Sequence, residues 1–199
     1  MNILSTKKVL AGALVVLGLS MTSTLTGCLT DDKKDTAPVD TSHHTAWGTS
    51  MTANLGAQAH PTLGSVLDLD SGKVWLSAVA NQNQAKIDLV YLYYNNAAHL
   101  DGARAARDSG AKYTINLTNT YDTTKVKDIM MVKVTAKPAD QEAGRTAYTA
   151  GSLIRSTTIA AGDKFVVKTT EGKYTYVEIT AIAGTTAGTA DVSFIMGSL

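Results

Sequence analysis

The sequence is poor in several residue types that often mark stability or chemistry. It has one cysteine, three prolines and two phenylalanines among 199 residues. A single thiol excludes a disulfide within the chain, so stability must come from burial and hydrogen bonding, although an oxidising compartment would permit disulfides. Tyrosine supplies most of the aromatic area, and threonine and tyrosine suit a pleated, half-buried surface, which favours β structure.

Common catalytic motifs are also missing. The sequence has no Gly-x-Ser-x-Gly, His-Glu-x-x-His, phosphate loop or Gly-x-Gly-x-x-Gly. Glu142, Glu171 and Glu178 fall in a predicted helix, turn and strand, with nothing to pair them as glycosidase carboxylates. We therefore expect a non-enzymatic protein without cofactor or metal. An unrecognised hydrolase, with a site assembled from distant residues, is the alternative.

Charge of one sign does not dominate. The 18 basic and 17 acidic residues give a formal net charge of +1, and loss of Lys7 and Lys8 with a cleaved leader would leave the chain close to neutral. Proteins that bind nucleic acid normally carry a basic footprint. The balance therefore argues against a nucleic-acid partner.

The N-terminal segment has the order of an export signal. Lys7 and Lys8 precede the uncharged apolar run 9–19. A helix needs roughly 20 apolar residues to cross a bilayer, so this run is too short and instead has the length of a signal-peptide core. The region 28–199 contains no second apolar run long enough to span a membrane.

We interpret the next stretch, Leu25-Thr26-Gly27-Cys28, as a lipobox. The small Gly27 admits a peptidase to the bond before Cys28, and the thiol of Cys28 is the only group here that can form a thioether to a diacylglycerol. A lone cysteine in an exported protein is otherwise an odd leftover. The alternatives are an ordinary secretory signal with an incidental cysteine, or a short membrane anchor.

This arrangement resembles the signal of bacterial lipoproteins. In many of them an Asp after the cysteine causes retention at the inner membrane, whereas here Leu29 favours the outer membrane. Residues 30–35 (TDDKKD) are similar to the acidic export signal of surface lipoproteins in Bacteroidota-type bacteria. The resemblance implies a diacylglycerol and an N-acyl chain such as palmitate on Cys28, on the periplasmic side or the cell surface. The expected partners are the membrane, through this anchor, and an envelope protein or a glycan.

The predicted organisation has three parts: a signal peptide over 1–27, a flexible tether over 28–45 and a single β-rich domain over 46–199. The tether is polar, carries Pro38 and has little to bury. His43-His44 near its end could bind a metal, but adjacent side chains on an extended chain point apart. Solvated tether residues are the simpler interpretation.

Alternation and turn signals predict the elements of the domain. Strands are expected over 50–58, 86–94, 112–119 and 128–135, and a hairpin over 66–70 and 73–76. Helices are expected over 77–85, with Ser77 as N-cap, and over 138–148, with Pro138 in the first turn. Residues 97–107 are expected to form an ordered loop with a helical turn.

Two strands carry further expectations. Both faces of 86–94 (KIDLVYLYY) are apolar, which is typical of a central strand, with Asp88 accessible near its start. The last third is predicted to be a meander of 164–169, 173–183 and 189–196, with a tight turn at Glu171-Gly172. Within 173–183, Val177, Ile179 and Ala181 share the apolar face. The fold class is mainly β, sandwich-like and mostly antiparallel with one to three short helices; α+β is the alternative.

Three pieces of the domain resemble a group of uncharacterised, exported β-rich lipoproteins from Bacteroidota- and Fibrobacter-type bacteria. The pieces are 55–58 with 64–74 (LGAQ, GSVLDLDSGKV), 86–90 (KIDLV), and 162–169 with 172–174 (GDKFVVKT, GKY). The resemblance implies a shared fold and location and brings no activity. The expected function is a lipid-anchored envelope protein of unknown activity acting as a binding or structural module. A glycan-binding surface lipoprotein is an alternative.

Two candidate sites follow from the residues. Tyr174 and Tyr176 lie on the more polar face of 173–183 and are the best candidates for an exposed pair that stacks on sugar rings; structural packing is the simpler interpretation. Asp68-Leu69-Asp70-Ser71-Gly72 has the first positions of a calcium loop without its later ligands. A hairpin with acidic outward residues explains that stretch as well.

Overall fold

The computed structural model describes residues 46–109 and 124–197. The predicted signal peptide, lipobox, Cys28 and tether lie outside these residues, as does the strand predicted over 112–119. These expectations therefore stay predictions.

Within the described residues, ten strands, three short helices and one 3-10 helix are present. The strands are β1 Ser50–Gly56, β2 Val66–Asp68, β3 Lys73–Trp75, β4 Leu89–Tyr94, β5 Ala97–Gly102, β6 Met131–Val134, β7 Ser156–Thr158, β8 Lys164–Lys168, β9 Tyr174–Ala183 and β10 Thr189–Met196. The helices are α1 Ser77–Ala80, α2 Ala103–Ser109 and α3 Gln141–Ala150, and the 3-10 helix is Asn81–Lys86.

The described strands form two five-stranded sheets in which every pairing is antiparallel. Sheet I has the order β1-β10-β9-β8-β6 and sheet II the order β3-β2-β4-β5-β7. One continuous apolar core contains residues from both sheets. The predicted mainly β, antiparallel class with one to three short helices is confirmed.

The predicted meander forms the centre of sheet I as β8, β9 and β10. Gly172 turns β8 into β9 with a φ of 89°, a value that favours glycine. The alternation predicted along β9 holds only in part, because the register with β10 shifts between Asp191 and Val192. Such a bulge reverses which residues face the core. Ala181 is therefore exposed, contrary to the prediction, and Ile182 packs against the core instead.

Strand β4 is central in sheet II, as predicted, and lies between β2 and β5. Its first four residues are at most 1 % exposed. Of the ordered loop with a helical turn expected over 97–107, the loop is wrong, because β5 returns along the whole of β4. The helical turn is confirmed by α2, which follows β5. Asn95 and Asn96 make this hairpin possible, since both adopt positive φ values of 49° and 58°, as a type I′ turn requires.

Two helix starts differ from the prediction. Leu76, rather than Ser77, occupies the N-cap position of α1, and it makes no side-chain cap. Helix α3 begins at Gln141, because the Asp140 carboxylate accepts a hydrogen bond from the Ala143 amide at 2.7 Å. Pro138 therefore lies before the helix rather than in its first turn.

Helix α3 covers the face of sheet I that points away from the core. It packs on β6, β8 and β9. On this face a registered row runs across these three strands and β10, formed by Val132, Val166, Tyr176 and Ile195. All four side chains are at most 9 % exposed, yet none belongs to the core shared by the sheets. The domain thus has a second, smaller apolar layer on sheet I.

Trp47 holds the start of the described chain against this helix. Its indole Nε1 donates to the Pro138 carbonyl at 2.8 Å. A Cβ added to Gly144 of α3 would lie 2.8 Å from the indole ring, so glycine at this position lets the ring approach the helix. Among the described residues, no helix has the length and apolar character needed to cross a membrane.

Candidate functional site

Three aspartates meet where one turn of each sheet approaches the other. Asp68 ends β2, Asp70 lies in the β2–β3 turn, and Asp88 precedes β4. One carboxylate oxygen from each lies within 4.8 Å of the other two. We call Asp68, Asp70 and Asp88 the carboxylate cluster.

Asp88 is the innermost member of the carboxylate cluster. It is 0 % exposed, so the expectation that it is accessible at the strand start is wrong. Its oxygens accept the Leu69 amide at 2.8 Å and the Thr170 amide at 2.6 Å. Burial raises the pKa of Asp88 to about 7, against the two amide donors that lower it and with a smaller contribution from the negative Asp70 and Asp68.

Asp70 connects the two turns from the solvent side. It accepts the Thr169 hydroxyl at 2.8 Å and the Glu171 amide at 3.3 Å, and the ammonium of Lys173 lies 3.9 Å away. Burial raises the pKa of Asp70, which these donors oppose. The two short Gly-Lys turns of the sequence, at Gly72-Lys73 and Gly172-Lys173, are therefore joined through carboxylates.

Asp68 shapes its own turn. It accepts the amides of Asp70 and Ser71 at 2.9 and 3.2 Å and the Ser71 hydroxyl at 2.7 Å, an arrangement that fixes an Asx-type turn. Oxygen-rich clusters of this kind suit hard cations such as calcium. Here, donors from the protein itself account for the position of all three carboxylates, so the cluster acts as a polar clasp between the sheets.

The two tyrosines proposed to bind sugars do not form an exposed pair. Tyr176 is 3 % exposed in the row beneath α3, and its hydroxyl donates to Glu178 at 2.8 Å. Tyr174 is half-buried and contacts the ring of Tyr148 edge-on at 5.5 Å. Helix α3 covers the face that alternation alone assigned to solvent. Of the two, only Tyr174 keeps an accessible surface.

A surface groove of about 490 Å³ lies beside α3. Its lining residues are Lys133, Val134, Thr135, Ala136, Lys137, Pro138, Ala143 and Ala147. Lys133 is paired with Asp163 at 2.7 Å. The polar side chains of the groove are two lysines and one threonine, a set without the acid–base pair that hydrolysis requires.

The sequence reasoning identified Asp68 and Asp70 but missed the partners that complete the clasp. Thr169 and Thr170 lie about a hundred residues further along the chain. The available signal was the pair of similar turns, Ser71-Gly72-Lys73 and Glu171-Gly172-Lys173. Their likeness does not reveal that they face each other.

Comparison with known proteins informs the fold. Neither protein-family models nor curated protein sequences match the chain. Among solved structures, it is similar to the crystal structure of a DUF4466 family protein from Parabacteroides merdae, with a TM-score of 0.53 and 17 % sequence identity. The similarity covers 76 % of this chain and 55 % of that one. The chain thus spans about half of its structural neighbour, and the likeness concerns the fold alone.

Proposed function

We propose that this chain is a lipid-anchored protein of the bacterial outer membrane that acts as a non-enzymatic binding or structural module. The observation that carries the proposal is Leu25-Thr26-Gly27-Cys28, which follows a basic start and a short apolar run after five intervening residues. One acyl chain binds a bilayer only marginally, whereas two or more hold a protein stably. The diacylglycerol and N-acyl chain expected on Cys28 would therefore suffice as the anchor.

The place where the chain enters the domain fits an anchored role. The Ala46 carbonyl accepts the Gln141 side-chain amide at 2.8 Å, next to the contact of Trp47 with Pro138. The proposed tether of residues 28–45 ends at this point. At 3.3–3.6 Å per residue, it could reach at most about 65 Å from the lipid, so the domain could act well away from the bilayer surface.

The fold supports a setting in Bacteroidota-type bacteria. The structural neighbour from Parabacteroides merdae is a member of a family of unknown function. In the sequence, Leu29 in place of Asp favours delivery to the outer membrane, and the similarity of residues 30–35 (TDDKKD) to the acidic export signal favours the cell surface over the periplasmic side.

Metabolic labelling tests the anchor directly. The full-length gene is expressed in a bacterium with a lipoprotein pathway, labelled with an alkynyl palmitate and fractionated. We expect the label and membrane association in the wild type, and loss of both in Cys28→Ser, because only the thiol can form the thioether. Thr30→Ser, two residues beyond the modified position, is the matched control and should keep the label.

The mass of the N-terminal peptide decides the outcome. A lipidated N-terminal Cys28 supports the proposal. An unmodified thiol or an uncleaved leader would overturn it. Protease treatment of intact cells then distinguishes the two sides of the outer membrane, since only a surface-exposed domain is degraded.

A further inference from the structure

Strand β1 leaves one long edge of sheet I unpaired. It is the first strand in the order of that sheet and pairs only with β10. Just beyond its end the Ala57 amide donates to Gly188 on the β10 side, whereas the Gly56 amide donates to Gly64 on the opposite side. Backbone groups of an antiparallel strand alternate between its two sides in this way. Three residues therefore direct both backbone groups away from β10: Ser50, Thr52 and Asn54.

The outward backbone groups of β1 are accessible and have no partner in the described part of the chain. Ser50, Thr52 and Asn54 are all exposed, and no described residue makes a backbone hydrogen bond to them on the side away from β10. Strand β3 of sheet II packs beside β1 but pairs with β2 alone. A free row of N–H and C=O groups is a template on which another strand can pair.

Strand β1 also lacks the features by which edge strands avoid such pairing. Protected edges are short, or carry charged residues, proline or bulges. The other outer strands of the described sheets follow this rule. Strands β3 and β7 have three residues each, β3 begins with Lys73, and β6 carries Lys133 and is bridged from Met131 to Ile154. Strand β1 has seven residues (SMTANLG) without charge or proline, and its register with β10 has no shift.

The sequence of β1 is complementary to itself about Thr52. In an antiparallel pair of two copies with Thr52 opposite Thr52, Ser50 lies opposite Asn54. Each of these pairs joins two residues whose backbone groups point outward, as a hydrogen-bonded pair requires. No charged residues of β1 face each other, and short polar side chains opposite one another can form hydrogen bonds. On the inner face Met51, which packs partly buried against the core, lies opposite Ala53.

We propose that a second copy of this chain docks on β1, so that the two copies of sheet I join edge to edge in a symmetric dimer. A twofold axis at Thr52 makes this interface the same patch on both copies. The pairing goes beyond the proposed anchor and does not depend on it. Where the anchor holds, the tether ends at residue 45, close before Ser50, and confinement of two copies to one membrane raises their effective concentration.

The association is tested with the full-length chain in detergent, with micelles in large excess so that two copies seldom share one. Sedimentation velocity over a range of concentrations should show a monomer–dimer equilibrium. Thr52→Lys places two ammonium groups opposite each other, whereas the exposed position leaves the fold of one copy intact. Like charges across a strand pair are destabilising, so we expect the dissociation constant to rise at least about fivefold. Thr158→Lys, at an exposed threonine on the β7 edge, is the matched control and should dimerise as the wild type does.

A cross-link tests the register of the pair. The Cα atoms of a hydrogen-bonded antiparallel pair lie about 5.5 Å apart, within the roughly 4.4–6.8 Å that a disulfide spans. Mild oxidation of Thr52→Cys should therefore give a covalent dimer, and the control Thr158→Cys should not. The wild type, whose only thiol is that of Cys28, shows whether Cys28 contributes to the product.

Three outcomes would each overturn the proposal. They are a chain that stays monomeric at every concentration, a dimer that Thr52→Lys leaves unchanged, and Thr52→Cys that cross-links to a different protein or not at all. A different protein on β1 would mean that the edge accepts a foreign strand rather than its own copy. None of these outcomes affects the mass of the Cys28 peptide, so failure of the dimer is separate from failure of the anchor.

Discussion

Asp88 shows how burial changes the chemistry of a single residue. Its flanking residues Ile87 and Leu89 are 0 % exposed, and the carboxylate accepts hydrogen bonds from amides that lie 19 and 82 residues away in the chain. The apolar pattern of 86–94 correctly predicts a central strand. It cannot predict that a charged residue at the start is buried too, because the donors that make this possible come from distant turns.

The raised pKa of Asp88 predicts how stability depends on pH. In the unfolded chain the pKa is 3.8, and in the fold it is about 7, so the folded state binds more protons between these values. The contribution of this group to the free energy of unfolding is therefore greatest below pH 4, falls as the pH rises to 7, and is constant above. Urea denaturation from pH 4 to pH 8 should show the wild type losing stability relative to Asp88→Asn.

The comparison with Asp88→Asn removes the effect of other titrating groups. The variant leaves one amide, at Leu69 or Thr170, without an acceptor and should be less stable at pH 4 by about 1–3 kcal/mol. That offset does not vary with pH, so the test is how the difference changes with pH. The difference is the free energy of unfolding of the wild type minus that of Asp88→Asn, and it should fall from pH 4 to pH 7. If it stays constant or grows towards pH 8, the raised pKa assigned to Asp88 is wrong.

Elements joined by short turns are the part of the fold that the sequence predicts well. The β2–β3 hairpin and the β8–β9–β10 meander follow from alternation and from glycine at the turns. Strand β5 was missed because Ala97 to Gly102 was expected to be a loop. The signals were present: Asn95-Asn96 suits a type I′ turn, and Ala98 and Leu100 alternate with His99 and Asp101.

A substitution at Gly102 tests how closely the backbone of β5 approaches the neighbouring backbone. Its amide donates to the Arg155 carbonyl at 2.7 Å, and an added Cβ would overlap the Ile129 carbonyl oxygen. Since both neighbours are backbone groups, neither can move cheaply. We expect Gly102→Ala to lower the free energy of unfolding by about 3 kcal/mol, the upper range for an overpacked site. Denaturation in urea measures the change.

Gly172→Ala is the matched control for this substitution. At Gly172 an added Cβ meets nothing within 4 Å, and only the positive φ of 89° opposes alanine. A cost of about 1–2 kcal/mol is typical of that strain. If Gly102→Ala is no more destabilising than Gly172→Ala, the close backbone approach at β5 is not what selects glycine.

The assembly of the whole molecule depends on pairings that local sequence does not encode. Strand β1 pairs with β10 at the other end of the described chain, and β7 joins sheet II although β6 and β8 belong to sheet I. The chain thus passes between the sheets more than once. Hydrophobic alternation shows that each strand has a buried face, but not which strand lies beside it.

Because the chain passes between the two sheets more than once, we predict that both sheets unfold together. Trp47 reports on sheet I through α3, and Trp75 lies on β3 of sheet II. These are the only two tryptophans of the chain, so Trp75→Phe and Trp47→Phe each leave a single reporter. Because the sheets share one core and the carboxylate clasp, we expect fluorescence and far-UV circular dichroism to give the same urea midpoint within each variant, as for a two-state transition.

Comparing two probes within one variant avoids a confusion between stability and cooperativity. Either substitution shifts the midpoint by itself, since Trp47 loses the hydrogen bond to Pro138 and Trp75, at 7 % exposure, is buried. Such a shift moves both probes equally. If instead the fluorescence of the remaining Trp75 changes before the circular dichroism does, sheet II unfolds separately. The clasp between the turns would then be too weak to couple the sheets, and the shared core would be less continuous than its packing indicates.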